Sequence, residues 1–366
     1  MISAIILFRE LLNIGVSGKN KIVVNNLKVG LHKLNKEDEI MLVISEQDMM
    51  KNYIMKDAIS DLKKGMKAKK EKLILNPERT VINFPEQEGS ALYMPSANLH
   101  EDKASMKVVT IFPKNPQIGK ATTQGVLLLS DAETGEHLCL MNASYLTRLR
   151  TGALSGVASE VFARKESSEL AVIGTGAMAF EQVLGVLEVR SISMINLFNR
   201  TREKAFQFKE KLIEFGVTCE INISNDVNQI VETADIICCA TRSNDPVFDG
   251  TRLQEGTHIN GVGSFLPTMR EVDLTTIHKA DKIIVDDLKG VKEEAGELIH
   301  ATELGNWRFA DIYAELYEVD GSTFKRENDQ EITFFKSVGS AYFDQALAQG
   351  VYKLAKSRGF GGEIDI

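Results

Sequence analysis

Four cysteines in 366 residues, none in a Cys-x-x-Cys pair, leave no disulfide framework to expect. Six histidines without metal-ligand spacing leave no metal centre to expect. Cys238 and Cys239 are adjacent within the apolar run Ile236–Ala240, where their side chains would point to opposite faces of a strand. With Cys139 and Cys219 they read as reduced core residues of a cytoplasmic protein. Basic charge is in deficit, with 43 Lys and Arg against 51 Asp and Glu and a formal net charge of -8. A nucleic-acid partner needs a basic surface and is not expected. Long hydrophobic runs are missing too. Ile2–Phe8 ends at Arg9-Glu10, too short to span a bilayer, with no basic start and no small-residue cleavage site. No membrane partner is expected. Internal repeats and low-complexity stretches are absent. Hydrophobic residues at 43% and charged residues at 26% match ordinary soluble domains, which sets aside disordered and fibrous classes. The chain reads as a protein that handles small molecules.

Its length exceeds what one core usually supports, so two domains are expected. Residues 1–40 are weakly patterned and read as an extension outside the catalytic fold, an early start codon being one source of it. Met41-Leu42-Val43-Ile44 is strand-like, and Ser45 with Asp48 forms a capping box for a helix. Met50, Ile54, Ala58, Ile59, Leu62 and Met66 recur at helical spacing and read as core or subunit contact. From Arg79 to Cys139 short strands follow one another: Ala91–Met94, Lys107–Ile111 and Val126–Leu129, the last closed by a turn at Asp131–Gly135. A helix over Ser144–Ala163 carries Arg148 and Arg150. Tyr342, Ala346, Val351 and Leu354 mark a final helix, and Gly359–Gly362 reads as a flexible stop.

Between these parts, strands and helices alternate. Strands are expected at Leu170–Ile173, Met194–Phe198, Thr218–Ile223, Ile236–Ala240, His258–Val262 and Lys282–Val285, with helices at Phe180–Val189 and Arg202–Phe215. Alternation of this kind implies βαβ units and a parallel sheet. Gly174-Thr175-Gly176-Ala177-Met178-Ala179 follows the first of these strands and opens a helix. It is the GxGxxA form of the dinucleotide fingerprint, in which the glycines allow a tight turn and let a pyrophosphate approach the helix N-terminus. The span from about Leu170 to Asp287 is therefore expected to be a doubly wound, Rossmann-type α/β domain for a nicotinamide cofactor. The second strand ends in Asn199-Arg200-Thr201-Arg202, with no acid before Glu203 to take the ribose hydroxyls and two guanidinium groups to meet a 2′-phosphate. NADPH is the cofactor expected, with NADH possible.

Lys107, the run Tyr145–Ala153 with Arg148 and Arg150, the Gly174 loop, and Phe335-Lys336-Ser337-Val338-Gly339 occur in an order that resembles the ornithine cyclodeaminase/mu-crystallin family. The resemblance covers roughly Met41 to the C-terminus. It implies a Rossmann domain at 158–335, a strand-rich α+β substrate and dimerisation domain at 41–157 and 336–366, and a homodimer. It also implies residue roles. Arg79 and Lys107 would hold a substrate carboxylate, with Lys107 also touching the reacting centre. Arg150 and Thr122 would lie near the nicotinamide end and the phosphates, and Ser337 would contact the nicotinamide amide. Gly174, Gly176, Ala177 and Met178 would cradle the pyrophosphate. Thr241 and Val262 would line the cofactor groove, and Asn199, Arg200, Thr201 and Lys204 the adenosine end. Cations that converge on an α-carboxylate orient the adjacent carbon for hydride transfer, and a lysine in a low-dielectric pocket can exchange protons with an imine nitrogen.

One departure narrows the activity. Cyclodeaminases and alanine dehydrogenases of the resembled family carry an acid in the segment that aligns with Gly261–Pro267, and Phe265 stands at its position here. Phenylalanine transfers no proton. The resemblance thus points to the reductases of cyclic ketimines such as Δ1-pyrroline-2-carboxylate and Δ1-piperideine-2-carboxylate, with proline or pipecolate as product and no carboxylate expected beside the reacting carbon. The alternatives are an ornithine cyclodeaminase with Glu271 or Asp273 filling in for the acid, an amino-acid or opine-type dehydrogenase, and a non-catalytic binding protein.

Overall fold

The computed structural model describes residues 40–305 and 307–366. The expected extension falls, apart from Ile40, outside the described residues. Chain order begins with β1 (Ile40–Ile44), α1 (Glu46–Asn52), α2 (Met55–Lys70), β2 (Ile74–Leu75), β3 (Thr80–Phe84), β4 (Gly89–Asn98), β5 (Lys103–Ile111), β6 (Thr123–Asp131), β7 (His137–Asn142) and α3 (Ala143–Phe162). The Ser45–Asp48 capping box forms as its spacing predicts. The helical stripe does not run unbroken, however. The chain leaves the helix at Tyr53, so Met50 and Ile54 face outward at 48% and 58% exposure, while Ala58, Ile59, Leu62 and Met66 are buried.

Strands β4 to β7 form an antiparallel meander, with Lys107 opposite Met94 on one side and Leu127 on the other. Lys107 therefore sits mid-strand, not at a strand start. Alternation places Met94, Lys107 and Leu127 on the inner face and Tyr93, Met106, Val108, Val126 and Leu128 on the outer one. The Asp131–Gly135 turn forms as expected, Asp131 Oδ1 accepting from the Glu133 and Thr134 backbone N–H groups.

The parallel part follows: β8 (Glu169–Ile173), α4 (Ala177–Val189), β9 (Met194–Phe198), α5 (Arg202–Phe215), β10 (Glu220–Ile223), α6 (Val227–Thr233), β11 (Ile236–Cys239), β12 (His258–Gly261), α7 (Leu274–Lys279), β13 (Lys282–Val285), α8 (Leu288–Glu294), α9 (Gly296–Glu303), β14 (Ala314–Glu315), β15 (Thr333–Lys336), α10 (Ala341–Arg358) and β16 (Gly362–Asp365). The sheet runs β10-β9-β8-β11-β12-β15-β13-β14, with every pair parallel. Apolar clusters cover both its faces, as a doubly wound sheet requires. The chain end is not a flexible stop: β16 pairs antiparallel with β1 at the edge of the first sheet.

Helix α3 joins the two parts and contains residue 157, the expected limit of the first segment. Its Gly156 lies so close to Gly185 of α4 that a Cβ would fall 2.7 Å from the Gly185 carbonyl oxygen. That approach fixes Arg150, two turns earlier, relative to the loop that opens α4. The inner face of the first sheet packs on α2, α3 and α10 around one apolar cluster. No helix among the described residues is long and apolar enough to cross a membrane.

Candidate active site

Strand order reverses between β8 and β11, and ligands of open α/β sheets bind outside the carboxyl ends of the strands at such a point. A cavity of about 1010 Å³ opens there and reaches the inner face of the first sheet. It has room for a dinucleotide and a small substrate. Gly174 ends β8 with φ +88, its N–H donating to Phe198 O at 2.9 Å, and a Cβ there would fall 2.7 Å from Thr241 Cγ2. Gly176 caps α4 without a side-chain bond and has open space where a Cβ would be. This cradle at a helix N-terminus fits a pyrophosphate. Asn199 Oδ1 accepts from Thr175 N at 3.1 Å and Asn199 Nδ2 donates to Thr201 O at 2.8 Å, so one amide ties the Gly-rich loop to the turn after β9. Arg200, Thr201 and Lys204 line the same end of the cavity. The second guanidinium expected there is turned away: Arg202 stacks over the Phe206 ring at 5.4 Å.

At the opposite end the site is cationic. Arg79, Lys107 and Arg150 come from the loop before β3, from β5 and from α3, and all three line the cavity. Lys107 Nζ lies 2.5 Å from Asp344 Oδ2 of α10, and both side chains are almost wholly buried. Arg150 Nε forms an ion pair with Asp344 Oδ1 at 3.4 Å without a hydrogen bond, and the same oxygen accepts from Thr147 Oγ1 at 3.4 Å. Burial pushes the Lys107 ammonium down to about 8; Asp344 opposes that fall, and the Arg150 and Arg79 charges add to it. Arg79 Nη2 donates to Gly339 O at 2.7 Å and Nη1 lies 3.1 Å from Glu294 Oε2, joining the first part of the chain to α8 and the turn after β15. Gly339 has φ +92, and a Cβ there would fall 2.5 Å from Arg150 Nη2, so a side chain would displace the guanidinium. Buried Asp286 shapes this turn, accepting from Ser337 Oγ at 2.7 Å, Val338 N at 3.1 Å and Gly339 N at 2.6 Å.

Thr122, Ala177, Met178, Thr241, Val262 and Ser337 also face this cavity, so the residues expected to hold cofactor and substrate, Arg202 apart, share one space. Such convergence is what a dinucleotide and a carboxylate substrate bound side by side demand. Residues 39–359 match the ornithine cyclodeaminase/mu-crystallin family. The chain belongs to that family. It is 39% identical to a Delta(1)-pyrroline-2-carboxylate reductase of Bacillus cereus over 89% of this chain and all of that one. Among solved structures it resembles the Thermococcus litoralis Delta(1)-pyrroline-2-carboxylate reductase in complex with NADH and L-proline, with a TM-score of 0.84, 35% identity, and coverage of 88% of this chain and 100% of that one. An archaeal alanine dehydrogenase dimer with bound NAD matches with a TM-score of 0.81 at 30% identity over 89% of this chain and 99% of that one.

Phe265, Asp273, Glu271 and Asp344 bear on the acid chemistry of the site. Phe265 lines the cavity with the Arg242 guanidinium 5.9 Å from its ring. Neither carboxylate considered as a substitute for the acid is free. Asp273 caps α7, accepting from Thr276 N and Gly250 N. Glu271 is fully buried and accepts from Thr241 N, Thr241 Oγ1, Gly263 N and Ser264 N. A further carboxylate, Asp344, stands behind Lys107, wholly buried and outside the lining of the cavity. Reasoning from helical period missed it, since α10 is buried around most of its first half and Asp344 lies off the stripe that was read. A lone acid in the apolar run Ala341–Leu347 was the available signal.

Proposed function

We propose that the chain is an NADPH-dependent reductase of cyclic ketimine carboxylates, Δ1-pyrroline-2-carboxylate or Δ1-piperideine-2-carboxylate, yielding proline or pipecolate. The observation that carries this reading is the buried lysine flanked by two arginines in a cavity that also holds the Gly-rich loop, with Phe265 on its wall in place of a free acid. Arg79 and Arg150 neutralise the substrate carboxylate and fix the ring. Lys107 Nζ holds a proton at the imine nitrogen. The nicotinamide ring, when bound, supplies the hydride. A protonated imine is already electrophilic, so the chemistry asks for no metal. The identity to pyrroline-carboxylate reductases over their whole length supports the same substrate class. The test is oxidation of NADPH by the cyclic imine at mildly acidic pH. Absence of turnover, together with ammonia release from ornithine, would overturn the assignment.

NADPH rests on Arg200 and Lys204, which face the adenosine end of the cavity, and on the lack of an acid at the end of β9. An Arg200→Ser variant is expected to lose roughly tenfold or more in kcat/KM with NADPH while its kcat/KM with NADH stays level, as loss of one charge-assisted phosphate bond dictates. A wild-type enzyme that prefers NADH would refute this part alone.

The outer face of the first sheet supports a homodimer. Met106 and Val126 are 36% and 46% exposed there, beside half-buried Tyr93, Val108, Leu128 and Leu140, an apolar surface that a second copy of the chain would cover. The two sheets, joined through α3, are proposed to act as separate substrate and cofactor domains.

A further inference from the structure

Asp344 belongs to none of the groups that the reaction just described uses directly. It lies in the first turn of α10 with a side chain that is wholly buried and does not line the cavity, from which Lys107, Arg150 and Thr147 separate it. Its oxygens are divided between two functions. Oδ2 meets Lys107 Nζ at 2.5 Å, and Oδ1 meets Arg150 Nε and Thr147 Oγ1, both at 3.4 Å. One carboxylate thus touches both the cation placed at the imine nitrogen and one of the cations placed at the substrate carboxylate. An ammonium on a four-carbon stem is free to rotate, and a buried one is easily discharged. Both freedoms matter to a proton donor.

We propose that Asp344 is the positioning residue of this site: its carboxylate fixes the direction of the Lys107 ammonium, holds Arg150 in register with it, and keeps the lysine protonated in a pocket that would otherwise strip its charge. The inference rests on the reductase reading for the chemistry but on geometry alone for the Lys107–Asp344–Arg150 arrangement. The charges around Lys107 are consistent with it. Arg150 on α3 and Arg79 before β3 both repel the ammonium, and burial disfavours it, while Asp344 is the anion in contact with it. Glu294 on α8 is paired with Arg79, and Asp286 after β13 is engaged with the Ser337–Gly339 turn. Burial works against the Asp344 charge as well, yet Lys107 and Arg150 outweigh it and hold its pKa below the ordinary carboxylate value.

The test follows the Lys107 ε-carbon resonance against pH in full-length protein containing 13C-labelled lysine, the signal being assigned by its loss in Lys107→Met. In Asp344→Asn the titration midpoint is expected to move down by about one pH unit or more, as removal of an opposite charge in contact requires. The alkaline limb of kcat/KM should move with it. Asp344→Glu keeps the charge but shifts it by one methylene, and is expected to retain a midpoint near that of the wild type while kcat falls. An unchanged midpoint in a folded Asp344→Asn protein would overturn the proposal, even with kcat reduced, because a purely structural residue would behave so. Should Asp344→Asn fail to fold, a wild-type kcat in Asp344→Glu would overturn it. The titration does not depend on which imine is the substrate. Failure of the wild type to reduce any cyclic imine would therefore count against the reductase reading and leave the resonance to decide this one.

Discussion

Replacing Lys107 with methionine is expected to lower kcat for the cyclic imine by roughly 10²–10⁴-fold, the usual loss when a positioned proton donor is removed. Methionine keeps most of the side-chain length and packs among Met94 and Leu127, its neighbours across β4 and β6. The variant is expected to fold, because Asp344 keeps Arg150 as a partner and is not left as a lone buried charge. Cofactor affinity, measured by fluorescence titration, should stay level, since the adenosine end of the cavity is untouched. A pH profile adds a second check. The Lys107 ammonium is pushed from its usual value down to about 8, chiefly by burial. As a donor it is charged below that pH and empties as pH rises through it, so kcat/KM of the wild type should decline above about pH 8. Activity of Lys107→Met within tenfold of the wild type would remove the lysine from the chemistry.

That this lysine could be named from sequence, while its partner Asp344 could not, shows where sequence information is dense. The Gly174 loop, the Asn199–Arg200 turn and the alternating strands are local signals: each is a short run whose residue types answer to one backbone demand. The βαβ alternation fixed β8, β9, β11, β12 and β13 to within a residue or two for the same reason. Strand β15 escaped, although Phe335 and Lys336 belong to the motif that ends at Gly339. Thr333-Phe334-Phe335-Lys336 has four buried residues and no alternation, because it lies inside a doubly covered parallel sheet between β12 and β13. Its neighbours in space are more than forty residues away in sequence. Strand β16 was hidden differently. Glycines at 359, 361 and 362 suggest flexibility, and only pairing with β1 gives the chain end a partner. Asp344 belongs to this second kind of information. It contacts Lys107 and Arg150 across separations that no periodicity encodes. Thr241 and Ser337 line the cavity, yet their hydroxyls are committed to Glu271 and Asp286. Residue type announces a polar wall and does not reveal which way a hydroxyl points.

The same limit bears on the loop after β12, which holds Phe265 and has a charge pair hidden beneath it. Lys336, at the end of β15, is fully buried, its Nζ donating to Ser264 O at 2.6 Å and Ser264 Oγ at 2.5 Å and lying 3.1 Å from Glu297 Oε1. Ser264 Oγ donates in turn to Glu297, at 2.9 and 3.0 Å from its two oxygens. The Gly263–Phe265 segment is thereby pinned from below, which sets how far the Phe265 ring reaches into the cavity. Glu297→Leu is expected to destabilise the protein by about 3–5 kcal/mol, because it strands a buried ammonium. Glu271 cannot take over, since both its oxygens are occupied by backbone and hydroxyl donors of residues 241, 263 and 264. The double variant Glu297→Leu with Lys336→Met should recover most of the loss, because two apolar side chains of similar volume leave no charge without a partner. Urea unfolding of the three proteins decides the matter. A single variant within about 1 kcal/mol of the wild type would mean that water reaches Lys336 and that the loop is held by something else; a double variant no better than the single would mean that shape, rather than charge, is what Glu297 contributes. In the expected case, cofactor affinity should weaken in the single variant and return in the double, since the segment carrying Phe265 follows Val262 directly and both face the cofactor cavity.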